Sequence, residues 1–179
     1  MERAIFAGGC FWCTEAFFLD IKGVIEVSPG YTGGHIEYPT YEMICSGTTG
    51  HVEAIEIIYN PKIITILNLL KVFFDTHDPT QVDGQGNDIG SQYLSVIYFS
   101  NDQQKIETQR YIEELINNYN APIVTKLYSE KPFYKAEEYH KNYFNNNRGQ
   151  PYCQIIIEPK YKKFINKFNI LLEKNKTIN

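Results

Sequence analysis

Arg3-Ala4-Ile5-Phe6-Ala7-Gly8-Gly9-Cys10-Phe11-Trp12-Cys13 changes its pattern half-way. Residues 3–7 are a short apolar run that Gly8-Gly9 stops, which predicts a strand. Residues 10–19 then carry apolar positions on most sides, which predicts a buried helix opening at Cys10. Strand and helix stay interleaved from there on. Residues 22–30 read as a second strand, and Gly30, Gly33 and Gly34 mark a loop to about Thr40. Residues 51–59 alternate as a strand, and Asn60-Pro61 predicts the cap and first residue of a helix running to about Phe74. Residues 75–92 form a long loop, the length at which a loop in a compact domain is functional or disordered. A strand over 93–99 precedes Ser100 and Gln103, a capping-box pattern. Ile106, Tyr111, Ile112, Leu115 and Ile116 then give a helical stripe. A strand at 123–128, a helix near 136–145, a strand at 152–157 and a helix from about 160 complete the reading. The evenly spaced units of a doubly wound sheet are missing, so the expected class is α+β, helices packed on a mostly antiparallel sheet.

With 179 residues, 43% hydrophobic and 21% charged, the chain suits one domain over 1–179 with a core, and about 172–179 as a frayed tail. The net charge of −4 leaves no basic footprint for nucleic acid and no polybasic membrane patch. The N-terminus lacks the pattern of a signal peptide and no stretch is long enough to span a membrane, so a cytoplasmic protein is expected. Stable disulfides are rare there. Cys10, Cys13, Cys45 and Cys153 are read as reactive, metal-binding or buried thiols.

In the first turn of a helix, unpaired N–H groups and the helix dipole would stabilise a Cys10 thiolate. Cys13, three residues on, shares its face, which suits a nucleophile and a resolving thiol. Two other readings stay open. Either cysteine could be a small core hydrophobe, and Cys-x-x-Cys could be half a zinc site, although Cys45 and Cys153 are solitary. Phe11 and Trp12 are core candidates, and also candidates for an apolar wall beside the sulfur.

In Gly50-His51-Val52-Glu53-Ala54-Ile55-Glu56-Ile57-Ile58-Tyr59, strand alternation puts Glu53 on the face of Ile55, Ile57 and Tyr59. A carboxyl on an apolar face keeps its proton towards neutral pH and can act as a general acid. The alternative is a solvated glutamate at the strand end. His51 is expected to pack or cap. In Gln81–Tyr93 the glycines fit no phosphate loop. Asp88 and Tyr93 could hydrogen-bond a ligand, or be a turn aspartate and a strand tyrosine.

These segments together resemble the A-type peptide methionine sulfoxide reductases, which act on the S epimer of the sulfoxide. The matching pieces are Gly9-Cys10-Phe11-Trp12, Gly30-Tyr31-Thr32-Gly33-Gly34, Thr40-Tyr41 and Cys45-Ser46-Gly47-Thr48-Thr49-Gly50-His51-Val52-Glu53-Ala54. Tyr59-Asn60-Pro61, His77-Asp78-Pro79-Thr80-Gln81, Gly86-Asn87-Asp88-Ile89-Gly90-Ser91-Gln92-Tyr93 and Ala136-Glu137-Glu138-Tyr139-His140 also match. The resemblance implies an α+β fold related to the ferredoxin-like two-layer sandwich with long loops. It implies that Cys10 attacks the sulfoxide sulfur and that Glu53 protonates its oxygen. Tyr41 and Tyr93 would hydrogen-bond that oxygen or its neighbourhood, and Asp88 would be a carboxylate of the same site. Phe11 and Trp12 would hold the substrate methyl group. The substrate would be methionine sulfoxide, free or in peptides and proteins, and thioredoxin or a similar dithiol the reductant. No metal or organic cofactor is implied.

Many members carry Gly in place of Cys13 and resolve with a late cysteine in a glycine-rich tail. Here the late cysteine, Cys153, precedes Ile155-Ile156-Ile157, read as a stiff strand. The Gly-Cys-Phe-Trp-Cys subgroup looks set to resolve within the motif, so Cys13 is expected to resolve, with Cys153 second. Cys45 is expected to be buried and structural. A zinc or redox-sensing module on the Cys-x-x-Cys is the competing class. A disulfide oxidoreductase is disfavoured, because no thioredoxin-like βαβ unit with a cis-proline candidate surrounds Cys10.

Overall fold

The computed structural model describes residues 1–173. Among these a six-stranded sheet is built on β1 (Glu2–Gly8), which pairs antiparallel with β3 (Val52–Tyr59) on one side and β6 (Ser95–Phe99) on the other. β2 (Val24–Thr32) pairs antiparallel with β3, and β8 (Phe133–Lys135) with β2. β7 (Lys126–Ser129) runs parallel to β6 at the other edge, so the order is β7-β6-β1-β3-β2-β8. The sheet is mostly antiparallel and the class is α+β, as expected.

The opening stretch folds as the glycines dictate. Gly9 has φ +95°, and a Cβ there would lie 2.7 Å from the Gln85 side chain. Only glycine meets both demands, so the chain can leave β1 and enter α1 (Phe11–Phe18) with Cys10 as its N-cap. Gln85 is itself fixed, accepting from the Asp78 N–H at 3.0 Å and donating to the Asp78 carbonyl at 2.9 Å.

α1 buries nearly all of its surface because it lies between the sheet and later helices. Phe6, Phe17, Phe18, Val27, Ile55, Ile57 and Ile97 join one apolar cluster with side chains of α3 (Ile66–Thr76) and α6 (Glu158–Lys167). The opposite sheet face holds a smaller cluster of Ile5, Ala7, Val52, Ala54, Val96 and Tyr98. α4 (Asp102–Leu115) packs on α3 and β6.

Several boundaries differ from the sequence reading, each for a local reason. Asn60 accepts from the Lys62 N–H in a turn, and the helix begins at Ile66, capped by Thr65. The cap of α4 is Asn101, which accepts from the Gln104 N–H at 2.9 Å. The second strand runs on through Tyr31 and Thr32. The expected helix at 136–145 is a 3-10 turn, Glu138–His140, and the short α5 (Tyr143–Asn146), broken by Asn142 at φ +51°. The long loop contains the two-residue strands β4 (Gly84–Gln85) and β5 (Asp88–Ile89), and Tyr93 lies in a 3-10 turn rather than in the following strand.

The largest correction concerns residues 152–157. They are helical, a π turn over Cys153–Ile157 that leads into α6. Ile155 is 69% exposed while Cys153 and Ile157 are buried, although all three would share one face of a strand. The expected frayed tail is not seen at its start: Leu172 bridges to Ile21, and the Glu173 N–H donates to the Asp20 carbonyl at 3.1 Å. Residues 174–179 lie outside the described residues.

Candidate active site

The site gathers at the N-terminus of α1. Cys10 caps the helix, and its carbonyl accepts from the N–H groups of Cys13 at 3.1 Å and Thr14 at 3.3 Å. Both thiols are 8% exposed. They sit three residues apart at the start of one helix, and each influences the other's proton affinity. Burial pushes the Cys10 thiol well above its ordinary value, with the hydrogen bond to Cys13 and the charge of Glu53 adding to it. Cys13 is lowered, first by the hydrogen bond from Cys10, with the Lys160 charge adding to it. Burial thus opposes the thiolate expected on Cys10 from its helix position. Desolvation of a buried sulfur outweighs the partial charge of one helix end.

Strand alternation places Glu53 as expected, on the apolar side of β3 and 1% exposed. Its Oε2 accepts from the Phe11 N–H at 3.0 Å, so the acid is tied to the residue after Cys10. Burial pushes its pKa up to about 8; the Phe11 N–H opposes this, and the Asp88 charge adds to it. The carboxyl is neutral at pH 7, and a neutral acid next to two thiols can protonate an acceptor while sulfur supplies electrons.

The aromatic residues pack around this pair. The Phe11 ring lies 5.7 Å from Tyr31 and 6.5 Å from Tyr41, and is fully buried. Trp12 stacks on Tyr143 at 3.8 Å and 8°, with Tyr152 edge-on at 5.9 Å. Tyr41 opens α2 (Tyr41–Cys45) and Tyr93 ends its 3-10 turn. The hydroxyls of both lie in the field of Glu53 and are raised well above the phenol range, mainly by burial. Asp88, in β5, accepts from the Tyr152 hydroxyl at 2.6 Å. All eight expected site residues are thus brought into one region. Cys45 is not buried: it is exposed at the end of α2. Among the described residues no three His, Cys, Asp or Glu side chains gather as a metal site would need.

A scan against protein families matches residues 2–171 to the model described as peptide methionine sulfoxide reductase. The chain belongs to that family. The relative named peptide methionine sulfoxide reductase MsrA from Acinetobacter baumannii is 48% identical over 173 residues, 97% of this chain and 99% of that one. Among solved structures, reduced Mxr1 from Saccharomyces cerevisiae superposes with a TM-score of 0.80 at 33% identity, covering 85% of this chain and 88% of that one. The structure of Mxr1 in complex with Trx2 matches with a TM-score of 0.57 at 26% identity, over 79% and 84%.

Three residues of this reductase escaped the reading of single segments. His140, 0% exposed, accepts from the Trp12 indole N–H through Nδ1 at 3.0 Å. Its proton therefore sits on Nε2, 3.7 Å from Glu137, and burial keeps the ring neutral. Glu137 takes the Tyr31 hydroxyl and the Tyr41 N–H, each at 2.8 Å, which fixes the start of α2. Tyr152 links Asp88 to Cys13, whose sulfur lies 3.8 Å from its hydroxyl. Glu137 and His140 fall in a matching segment but carried no role, and Tyr152 lies in the misread strand.

Proposed function

We propose that the chain reduces the S epimer of methionine sulfoxide through Cys10, with Glu53 as its acid. The observation that carries this is the buried, proton-bearing Glu53 held by the N–H that follows Cys10. A sulfoxide oxygen leaves only once protonated. Glu53 donates to that oxygen as the Cys10 sulfur attacks the sulfoxide sulfur, and the new carboxylate takes the thiol proton of Cys10. Oxygen ends on Cys10 as a sulfenic acid and methionine leaves, its sulfur reduced by two electrons and that of Cys10 oxidised by two. Tyr41 and Tyr93 hold the oxygen, Asp88 completes the polar side, and Phe11 with Trp12 forms the wall for the methyl group.

Cys13 then attacks the sulfenic sulfur, giving a Cys10–Cys13 disulfide and water. Its place three residues after Cys10, with both thiols buried at the start of α1, supports this assignment. Cys153, buried in the π turn, is the second candidate. A thioredoxin-type dithiol reopens the disulfide, a reading supported by the Mxr1 complex with Trx2. Such a cycle suits a reducing compartment, the cytoplasm, and four free cysteines accord with it. The order β6-β1-β3-β2, with α1 and α3 as crossovers, supports a ferredoxin-like core in one domain. The substrate is free or protein-bound methionine sulfoxide, and the scheme needs no cofactor.

The test is turnover of the two separated sulfoxide epimers with dithiothreitol. Consumption of the S epimer alone is expected; no turnover of either would end this reading.

A further inference from the structure

We propose that Tyr152 is a catalytic residue of the disulfide-forming step, passing the Cys13 proton to Asp88 as Cys13 attacks the oxidised Cys10. The proposal rests on the reductase reading above and concerns the step after methionine has left.

A tyrosine has one hydroxyl proton, and here it is committed. The hydroxyl donates to Asp88 Oδ2 at 2.6 Å, the length of a charge-assisted bond to a carboxylate. The phenol oxygen can then only accept from its other neighbour, the Cys13 sulfur at 3.8 Å. Cys10, three residues before Cys13 at the start of α1, is the sulfur that Cys13 must reach. The three groups form one directed chain: Cys13 thiol, Tyr152 hydroxyl, Asp88 carboxylate. It is enclosed, since both thiols are buried and Tyr152 is wedged edge-on against Trp12.

Such a chain answers a problem of the second step. A thiol is a poor nucleophile until its proton is removed, and bulk water has little access to this pair. As the Cys13 sulfur bonds to the Cys10 sulfur, its proton moves to the Tyr152 oxygen while the Tyr152 proton moves to Asp88. The S–O bond of the sulfenic acid breaks, and the leaving hydroxide takes the Glu53 proton and departs as water. Loss of the Asp88 proton to solvent and return of one to Glu53 restores both groups. The net change is one sulfenic acid and one thiol giving one disulfide and one water. The geometry also sets Asp88 apart from the substrate hydroxyls, because one of its oxygens is taken up on the Cys13 side.

Tyr152→Phe keeps the ring against Trp12 and removes the relay, and Asp88→Asn keeps an acceptor but removes the base. The experiment mixes each full-length protein with one equivalent of methionine S-sulfoxide without reductant. It follows methionine release, sulfenic acid by dimedone capture, and free thiols by titration, across pH 6–9. For Tyr152→Phe the ratio of disulfide formation to methionine release is expected to fall at least tenfold. Sulfenic acid then accumulates on Cys10, and the lost rate returns as pH rises and free thiolate replaces the relay. Asp88→Asn is expected to lower the same ratio at least threefold. An unchanged ratio in both variants would overturn the proposal, as would mapping of the wild-type disulfide to Cys10–Cys153. Absence of methionine release in the wild type would instead remove the reductase reading.

Discussion

Glu53 shows how one side chain acquires a chemical role from its surroundings. The same carboxyl in solvent would be ionised at pH 7; in β3, under an apolar face, it keeps its proton to about 8. Replacing it by Gln keeps the shape and an acceptor for the Phe11 N–H but removes the proton. Methionine formation in a single turnover is expected to slow by about 10²- to 10⁴-fold in Glu53→Gln, measured by quenched flow. In the wild type that rate should be level below pH 8 and fall above it, because the acid form is the active one. His140 and Tyr152 mark the limit of reading residues singly. The bond from Trp12 to His140 spans 128 positions, and nothing in the sequence around either residue announces it. The Glu53 environment was legible because strand alternation is a local property.

At the scale of elements, Glu15 joins α1 to the short helix that backs the site. Buried in α1, it accepts from the Asn142 N–H at 2.8 Å, next to Tyr143, the residue stacked on Trp12. Burial pushes its pKa up from 4.5 to about 7. The folded carboxyl therefore holds its proton where the unfolded one has released it, and stability falls as pH rises from about 4.5 to about 7. In Glu15→Gln that share of the loss should vanish. Denaturant unfolding at pH 5 and pH 8 should show the wild type losing roughly 2 kcal/mol more than the variant across the interval. The π turn carries the opposite lesson about legibility. Three consecutive isoleucines suggest a strand by propensity, yet burial of Ile157, with Phe164 deeper in α6, sets a helical period that tertiary packing enforces. Pro151 at its start was the available signal.

The whole molecule closes on itself near its C-terminal end. The Lys22 N–H donates to the Leu171 carbonyl at 2.8 Å and the Glu173 N–H to Asp20, so the last described residues clamp the turn that follows α1. Ending the chain after Phe168 removes both bonds and the Ile21–Leu172 bridge. That truncation should cost about 2 kcal/mol and lower Tm by roughly 4–8 °C, read by calorimetry. Fold class and helix-on-sheet character were legible from the interleaving of short apolar runs with helical stripes. Strand order was not, because β1 lies between β3 and β6, more than forty residues away in sequence, and partner choice is written in packing rather than in any one segment. The region of the active site was legible where its residues sit in compact motifs, and illegible where it is completed by Glu137, His140 and Tyr152 through contacts made across the fold.

Trp12 is the single tryptophan of the chain, and it lies flat on Tyr143 with its indole N–H bound to a neutral histidine. The molecule thus carries one indole that can be excited apart from its tyrosines, at a residue between the two site cysteines. Its emission, excited at 295 nm, should change in amplitude when Cys10 is oxidised and return when a dithiol restores the pair. A stopped-flow trace of the unlabelled protein would then time each stage optically, and an emission indifferent to oxidation would show that the indole is shielded from the event beside it.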